Sequence, residues 1–195
     1  MSRGVGAALL AAAVVLSGCG AVEENVTTTS PSPEAPVNPW DLPLEDRPAL
    51  FDPCAEIPVE SIQQALGNHA EPLDQFTRHQ PGELLVCGWE NQDLDLSVLS
   101  TWKSHDEYLS DPAIAVQDVD SYVAGRSGIR AAQRRGSEYF GCIQLFFTER
   151  GTVWLRSELK GTFEEYKGER FADPCTALDD ISSELVSHIP AGDFR

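Results

Sequence analysis

Five cysteines are the residues of this 195-residue chain with the most chemistry open to them. Cys19 stands apart near the amino terminus. Cys54, Cys87, Cys142 and Cys175 fall into two pairs with the same separation, 33 residues. Five cysteines in so short a chain point to an oxidising compartment or a metal site. The metal reading is weak, because no CxxC pair occurs and the four stand far apart. Other reactive side chains lack the company that catalysis needs. His69, His79, His105 and His188 include no HExxH. Gly125-Arg126-Ser127-Gly128 misses the second spacer of a nucleophile elbow. Asn91, Asp93 and Asp95 begin like a calcium loop, but Leu96 and Trp102 stand where Gly and Glu are required. No phosphate-cradling glycine motif is present. Glu164-Glu165 and Asp179-Asp180 are adjacent pairs, which diverge on a helix and suit solvated faces. The expectation is therefore no catalytic residue set, no cofactor and no metal.

One cationic cluster interrupts an acidic chain. Arg126, Arg130, Arg134 and Arg135 lie within ten residues, and the first three share strand parity. Arginine forks suit an anionic headgroup, a phosphate or an acidic partner. The plainer reading is a solvated strand face. Phe140, Phe146, Phe147 and Trp154 offer a second choice, between a lipid cavity and ordinary core packing.

The first residues explain Cys19. Arg3 precedes a twelve-residue apolar run, Val5 to Leu16. A bilayer needs about 20 residues, so the run suits a secretory signal and not a span. It ends Leu16-Ser17-Gly18-Cys19. This resembles the lipobox of bacterial lipoproteins, which implies a thioether-linked diacylglycerol on Cys19 and cleavage before it. Two or more acyl chains, at about 0.8 kcal/mol per buried methylene, anchor a protein stably. Residues 1–18 are thus a signal peptide, and 19–50 a lipidated Cys followed by a tether. Six of the 13 prolines lie between Pro31 and Pro48, among or after a Thr/Ser run. Such composition buries too little surface to offset chain entropy. Trp40 and Leu42 are the first candidates for contact with the folded part.

Residues 51–195 have the length of one domain. Asp52-Pro53-Cys54 and Asp173-Pro174-Cys175 each place an N-cap before a proline suited to the first helical turn. The first predicts a helix from Cys54 to Leu66, burying Ile57, Ile62, Ala65 and Leu66 and stopping at Gly67. The second predicts a helix from Cys175 to Ile189, with Leu178, Ile181, Leu185 and Ile189 at helical spacing. The partner cysteines sit in β-rich sequence. Glu83–Glu90 and Leu94–Trp102 read as one hairpin, and Tyr139–Thr148 and Thr152–Leu159 as another. Asp120–Val123 and Ser127–Arg134 are further strand candidates, and Ser104 caps a short helix through Leu109. The simplest pairing joins each helix start to a strand, Cys54–Cys87 and Cys142–Cys175. The two other pairings stay open at this level. The expected fold class is α+β: an antiparallel sheet of about five or six strands with two disulfide-tethered helices packed on one face.

Phe51-Asp52-Pro53-Cys54, Ala65-Leu66-Gly67, Cys87-Gly88-Trp89 and the late Asp-Pro-Cys together resemble DUF3558, a family of actinobacterial lipoproteins of unknown function. The resemblance implies an extracytoplasmic location, disulfides and an α+β domain, and supplies no catalytic residues. Fourteen Lys plus Arg stand against 31 Asp plus Glu. That balance excludes nucleic acid as a partner and disfavours adsorption to anionic lipid. Of these charges, 25 acids and 12 bases lie from residue 51 onward, so the acidity belongs mainly to the domain. The function expected is that of a non-catalytic protein on the outer face of the cell membrane. It would be held there by Cys19 and bind another envelope component, an unidentified protein or lipid. The alternatives are a carrier or sensor of a small amphiphile and, behind it, a hydrolase.

Overall fold

Proline decides where the first helix breaks. In the computed structural model, which describes residues 37–195 except 68, 136–137, 162–163 and 171, Asp52 caps a single turn, α1 (Pro53–Glu56). The Asp52 carboxylate accepts from the Cys54 and Ala55 amides at 3.0 and 3.3 Å. Ile57 precedes Pro58 and is forced out of the helical region, to φ −90° and ψ 117°. A second helix, α2 (Val59–Leu66), then begins and ends at Gly67, whose φ is +88°. The single helix expected over 54–66 is therefore two, because apolar spacing continued through a residue that cannot donate the required amide. Ser104 and Glu107 form a reciprocal capping box for α3 (His105–Leu109). Asp173 caps α4 (Pro174–Leu185), accepting from the Cys175 amide at 3.0 Å. The helix is shorter than expected, since Val186–His188 tightens into a 3-10 turn.

The strands are β1 (Glu71–Pro72), β2 (Arg78–Gln80), β3 (Leu84–Glu90), β4 (Leu94–Thr101), β5 (Ile114–Val123), β6 (Arg126–Arg135), β7 (Glu138–Thr148) and β8 (Gly151–Leu159). They make one antiparallel sheet in the order β1-β3-β4-β8-β7-β6-β5, with β2 also paired to β3. Among the described residues eight strands replace the five or six expected. β1 and β2 have two and three residues, too short for alternation to reveal. β5 starts at Ile114 and not Asp120; register shifts around Asp118 interrupt its period. β4 alternates faithfully, with Leu94, Leu96, Val98 and Ser100 inward.

Both faces of the sheet are covered. On one, Ile62, Ala65 and Leu66 of α2 and Ala177, Leu178, Ile181 and Leu185 of α4 pack on Trp89, Leu96, Phe146 and Leu155. Only α4 of these two packing helices carries a cysteine; Cys54 belongs to α1, so the expected pair of tethered packing helices is corrected to one. On the opposite face, Tyr108 of α3 joins Ile129, Ile143, Leu145 and Phe147, with Trp40 and Phe194 against them. Trp40 lies in a segment assigned by composition to the tether. Residues 37–50 in fact lie on the domain: Pro39 is buried and Leu50 is 3% exposed. Cys19, the signal and the rest of the tether lie outside the described residues. Among the described residues no helix is long and apolar enough to cross a membrane.

Arg150, in the β7–β8 turn, fastens that segment. It donates to both Glu56 oxygens at 2.6 and 2.8 Å and to the carbonyls of Ala49 and Leu50 at 3.0 and 3.1 Å. Burial raises the Glu56 carboxyl, but the Arg150 fork and the Asp52 amide outweigh it and hold the group below its usual 4.5. A depressed folded pKa gives stability that is present above the unfolded value and lost as pH falls through the folded one. Glu56→Gln is therefore expected to melt a few degrees below the wild type at pH 7 and alongside it at pH 3. Thermal melts at the two pH values check this; a gap undiminished at pH 3 assigns the effect to something other than the carboxylate charge.

Candidate functional site

Four of the five cysteines are committed to the fold. Cys54 bonds Cys87 and Cys142 bonds Cys175, each across a separation of 33 residues and with Cα atoms 5.3 and 5.0 Å apart. Each bridge joins a helix start to a strand. Among the described residues no group of three His, Cys, Asp or Glu side chains is placed to hold a metal ion.

The arginine cluster divides. Arg126 and Arg130 keep their shared strand face, but that face lies under α4. Arg126 donates to the carbonyls of Ile189 and Gly192 at 3.2 and 3.1 Å and sits 5.1 Å over the Phe146 ring. Burial pulls its pKa below the usual guanidinium value, and Asp193 opposes the shift. Arg130 donates to Gln144 at 3.1 Å and to the Cys175 carbonyl at 3.4 Å, and pairs with Asp179. These two side chains hold α4 and the segment after it. Arg134 is exposed and its amide donates to Ala113 at 2.9 Å; nothing is described of the Arg135 side chain.

The aromatic residues divide as well. Phe146 enters the helix-covered core, Phe147 and Trp154 the opposite one, and Phe140 carries Arg156 over its ring. They do not share one core. His188 meets the Ser61 hydroxyl at 2.8 Å and ties α2 to the turn after α4. Ser127 donates to Asp193 at 2.5 Å, with no histidine beside it to act as a base. Asn91 accepts from the Asp93 and Leu94 amides at 2.9 Å, which closes the β3–β4 turn.

A concavity lies near the turn from β7 into β8, and both ends of the described segment reach it. The Trp40 indole donates to the Thr148 carbonyl at 2.9 Å, and the Phe194 amide to the Phe147 carbonyl at 3.1 Å. Phe147, 1% exposed, lies in the core beneath these contacts, with His105, Trp40 and Tyr108 rings at 5.3, 6.4 and 6.4 Å. Trp102 meets Trp40 edge-on at 5.0 Å. The Arg47 guanidinium lies over both indoles, 5.0 Å from Trp102 and 5.8 Å from Trp40. It is held by the carbonyls of Leu42 and Trp40 at 3.0 and 3.2 Å.

Between Asn38–Arg47, the corner Thr101–Glu107 and the final Asp193–Arg195 runs an open groove of about 990 Å3. Its cations are Arg47, Lys103 and Arg195; its carboxylates are Glu83, Asp106, Glu107 and Asp193. Lys103 pairs with Asp111, and Arg195 with Asp193 and Asp120 at 2.7 and 3.1 Å. Burial raises the Asp193 carboxyl, but Ser127 and Arg195 outweigh it and keep it below the ordinary range. The Ser104 hydroxyl is engaged as a helix cap and His105 stacks on Phe147. The groove thus offers surfaces and charges for binding. Sequence reasoning missed it because its walls come from four distant stretches. The one available signal was a pair of tryptophans, Trp40 in the proline-rich stretch and Trp102 just past the end of β4.

A family model described as "Protein of unknown function (DUF3558)" matches residues 14–188, most of the chain. No curated protein matches the chain, and no solved structure matches it either.

Proposed function

From the premise that this chain belongs to the DUF3558 family, whose description assigns no activity, we propose that it is a lipid-anchored, non-catalytic protein of the cell envelope that binds another envelope component. The observation that carries the binding half is the open groove at the β7–β8 end, walled by aromatic and charged side chains that no part of the described chain fills. A carrier of small amphiphiles calls for an enclosed apolar cavity of roughly 300 Å3 or more. Of the aromatic residues considered for that role, Phe146, Phe147 and Trp154 pack in the two cores and Phe140 lies under the Arg156 guanidinium.

The anchoring half rests on the residues around Cys19. Val37 already belongs to the described domain, so the linking chain is shorter than composition alone suggests. The stretch from Cys19 to Val37 limits the domain to about 60 Å from the acyl chains at full extension. On this reading the domain works at the outer face of the cell membrane and close to it, on lipids, wall material or membrane proteins.

Cys19→Ala is expected to abolish acylation and release the domain from the membrane fraction. Mass spectrometry and fractionation check this, and full membrane retention of the variant refutes the anchor. The binding half is checked by a photo-crosslinking amino acid at the exposed position of Glu83, on the groove rim. Irradiation in the native membrane is expected to give a defined adduct that the same label at Tyr122, exposed on the edge strand β5, does not give. Identical labelling at both positions refutes a groove-specific partner.

A further inference from the structure

We infer that the groove binds a neutral glycan. The inference rests on the binding reading above and names the class of component bound. Three features of the groove select that class.

The first is charge balance inside an acidic domain. Glu83 and Asp106 stand exposed on the same groove as Arg47 and Lys103. A strongly anionic ligand would meet the carboxylates, and a cationic one the guanidinium. A polyhydroxylated neutral ligand uses both, because each hydroxyl donates to a carboxylate and accepts from a guanidinium or ammonium. Arg47 is prepared for this. Its Nε and Nη2 are held by backbone carbonyls. Its Nη1 has no hydrogen bond to any described residue and is a fixed donor for a hydroxyl.

The second feature is the pair of indoles. Trp40 and Trp102 are half-buried and set nearly at right angles, with an interplanar angle of 75°. They are locked by the Thr148 carbonyl and by Arg47. Rigid aromatic rings give an apolar platform at low entropic cost, which a pyranose needs for its C–H face. Leu44 is the only aliphatic side chain of its size among the described groove residues, so an acyl chain would find little to bury it.

The third feature is shape. The volume is at the upper end for a small-molecule site, yet the groove is open. A site that covers a compact ligand is enclosed, whereas an open groove suits a chain that enters at one end and leaves at the other.

The test uses the full-length chain purified in detergent. The neutral probes are mannohexaose, galactohexaose and chitohexaose; a heparin hexasaccharide and phosphatidylglycerol vesicles are the charged comparisons. Calorimetry gives affinity, and indole emission reports the groove, since two of the four tryptophans line it. At least one neutral hexasaccharide is expected to bind saturably and shift the emission. Trp102→Ala is expected to weaken that binding about tenfold, and Glu83→Gln and Asp106→Asn severalfold. These two exposed acids serve if the tryptophan variant fails to fold. Tyr122→Ala is expected to change nothing. The bound sugar is then offered as a glycolipid headgroup in phosphatidylcholine vesicles. Binding there, or only of the free chain, identifies membrane or wall as the source. Three results overturn the inference: no neutral probe binds, the charged probes bind in preference, or the groove variants bind unchanged. An adduct at position 83 alongside any of these overturns the glycan alone; absence of both overturns the binding reading with it.

Discussion

Gly128→Ala is expected to destabilise the domain by about 3–5 kcal/mol, the sum of overpacking and a broken buried hydrogen-bond network. Gly128 lies in the middle of β6, and the reason for glycine there is a side chain that crosses it. Gln144, on β7, is fully buried and exchanges hydrogen bonds with the Ser121 hydroxyl on β5 at 3.0 and 3.2 Å. To reach β5 from β7 the amide must pass over β6. A Cβ at position 128 would lie 2.6 Å from the Gln144 amide nitrogen and 2.0 Å from the Leu145 carbonyl oxygen. A side chain can swing away, but a backbone carbonyl in a paired strand cannot, so the strands themselves must part. Urea unfolding checks the size of the loss. The clash with Leu145 is with backbone, so Gln144→Ala in the same chain is expected not to restore stability. Full rescue by that second substitution would assign the whole effect to the amide and refute the strand-parting argument.

The same strand shows where sequence legibility stops. Alternation placed β4, whose burial alternates along its length, and runs of β-forming residues placed β3, β7 and β8, where β3 and β8 are buried almost throughout. Asp-Pro-Cys placed both helix starts, since a cap and a proline act locally and need no tertiary partner. Pro58 was equally visible, yet the apolar spacing of Ile57, Ile62 and Leu66 carried the helix through it. Local backbone chemistry won over periodicity. β6 was found, but the role of its arginines was not. Parity put Arg126 and Arg130 on one face, and only tertiary structure says that α4 lies on that face and supplies their acceptors. The groove was the least legible feature. Trp40, Trp102 and Phe194 come from remote positions, and no spacing rule connects residues that meet only after the sheet has formed. Cys19 is the opposite case, a reading that rests on sequence alone.

Replacing Cys142 and Cys175 by alanine is expected to cost about 3–5 kcal/mol, and more than replacing Cys54 and Cys87. The chain-entropy model gives both bridges the same value, about 3.8 kcal/mol, because both span 33 residues. Any difference between the two double variants must therefore come from what each bridge holds in the folded state. Cys54 holds a single turn that is secured independently, by the Asp52 cap, the Arg150–Glu56 fork and buried Phe51. Cys142 is fully buried and holds the start of α4, whose Ala177, Leu178, Ile181 and Leu185 fill one core. The Arg130 guanidinium lies against the bridge, 3.4 Å from the Cys142 sulfur and from the Cys175 carbonyl. Release of the helix start would leave that partly buried cation with weakened partners. The chain from α4 then runs, under the hold of Arg126, to Phe194 and the groove wall. Amide exchange is the discriminating measurement. Loss of the Cys142–Cys175 bridge is expected to raise exchange from Ala177 through Phe194, and loss of the other bridge to leave that stretch protected. Equal loss of stability in the two variants, with equal exchange in α4, would mean that chain entropy alone accounts for both bridges and that α4 stands without its covalent tie.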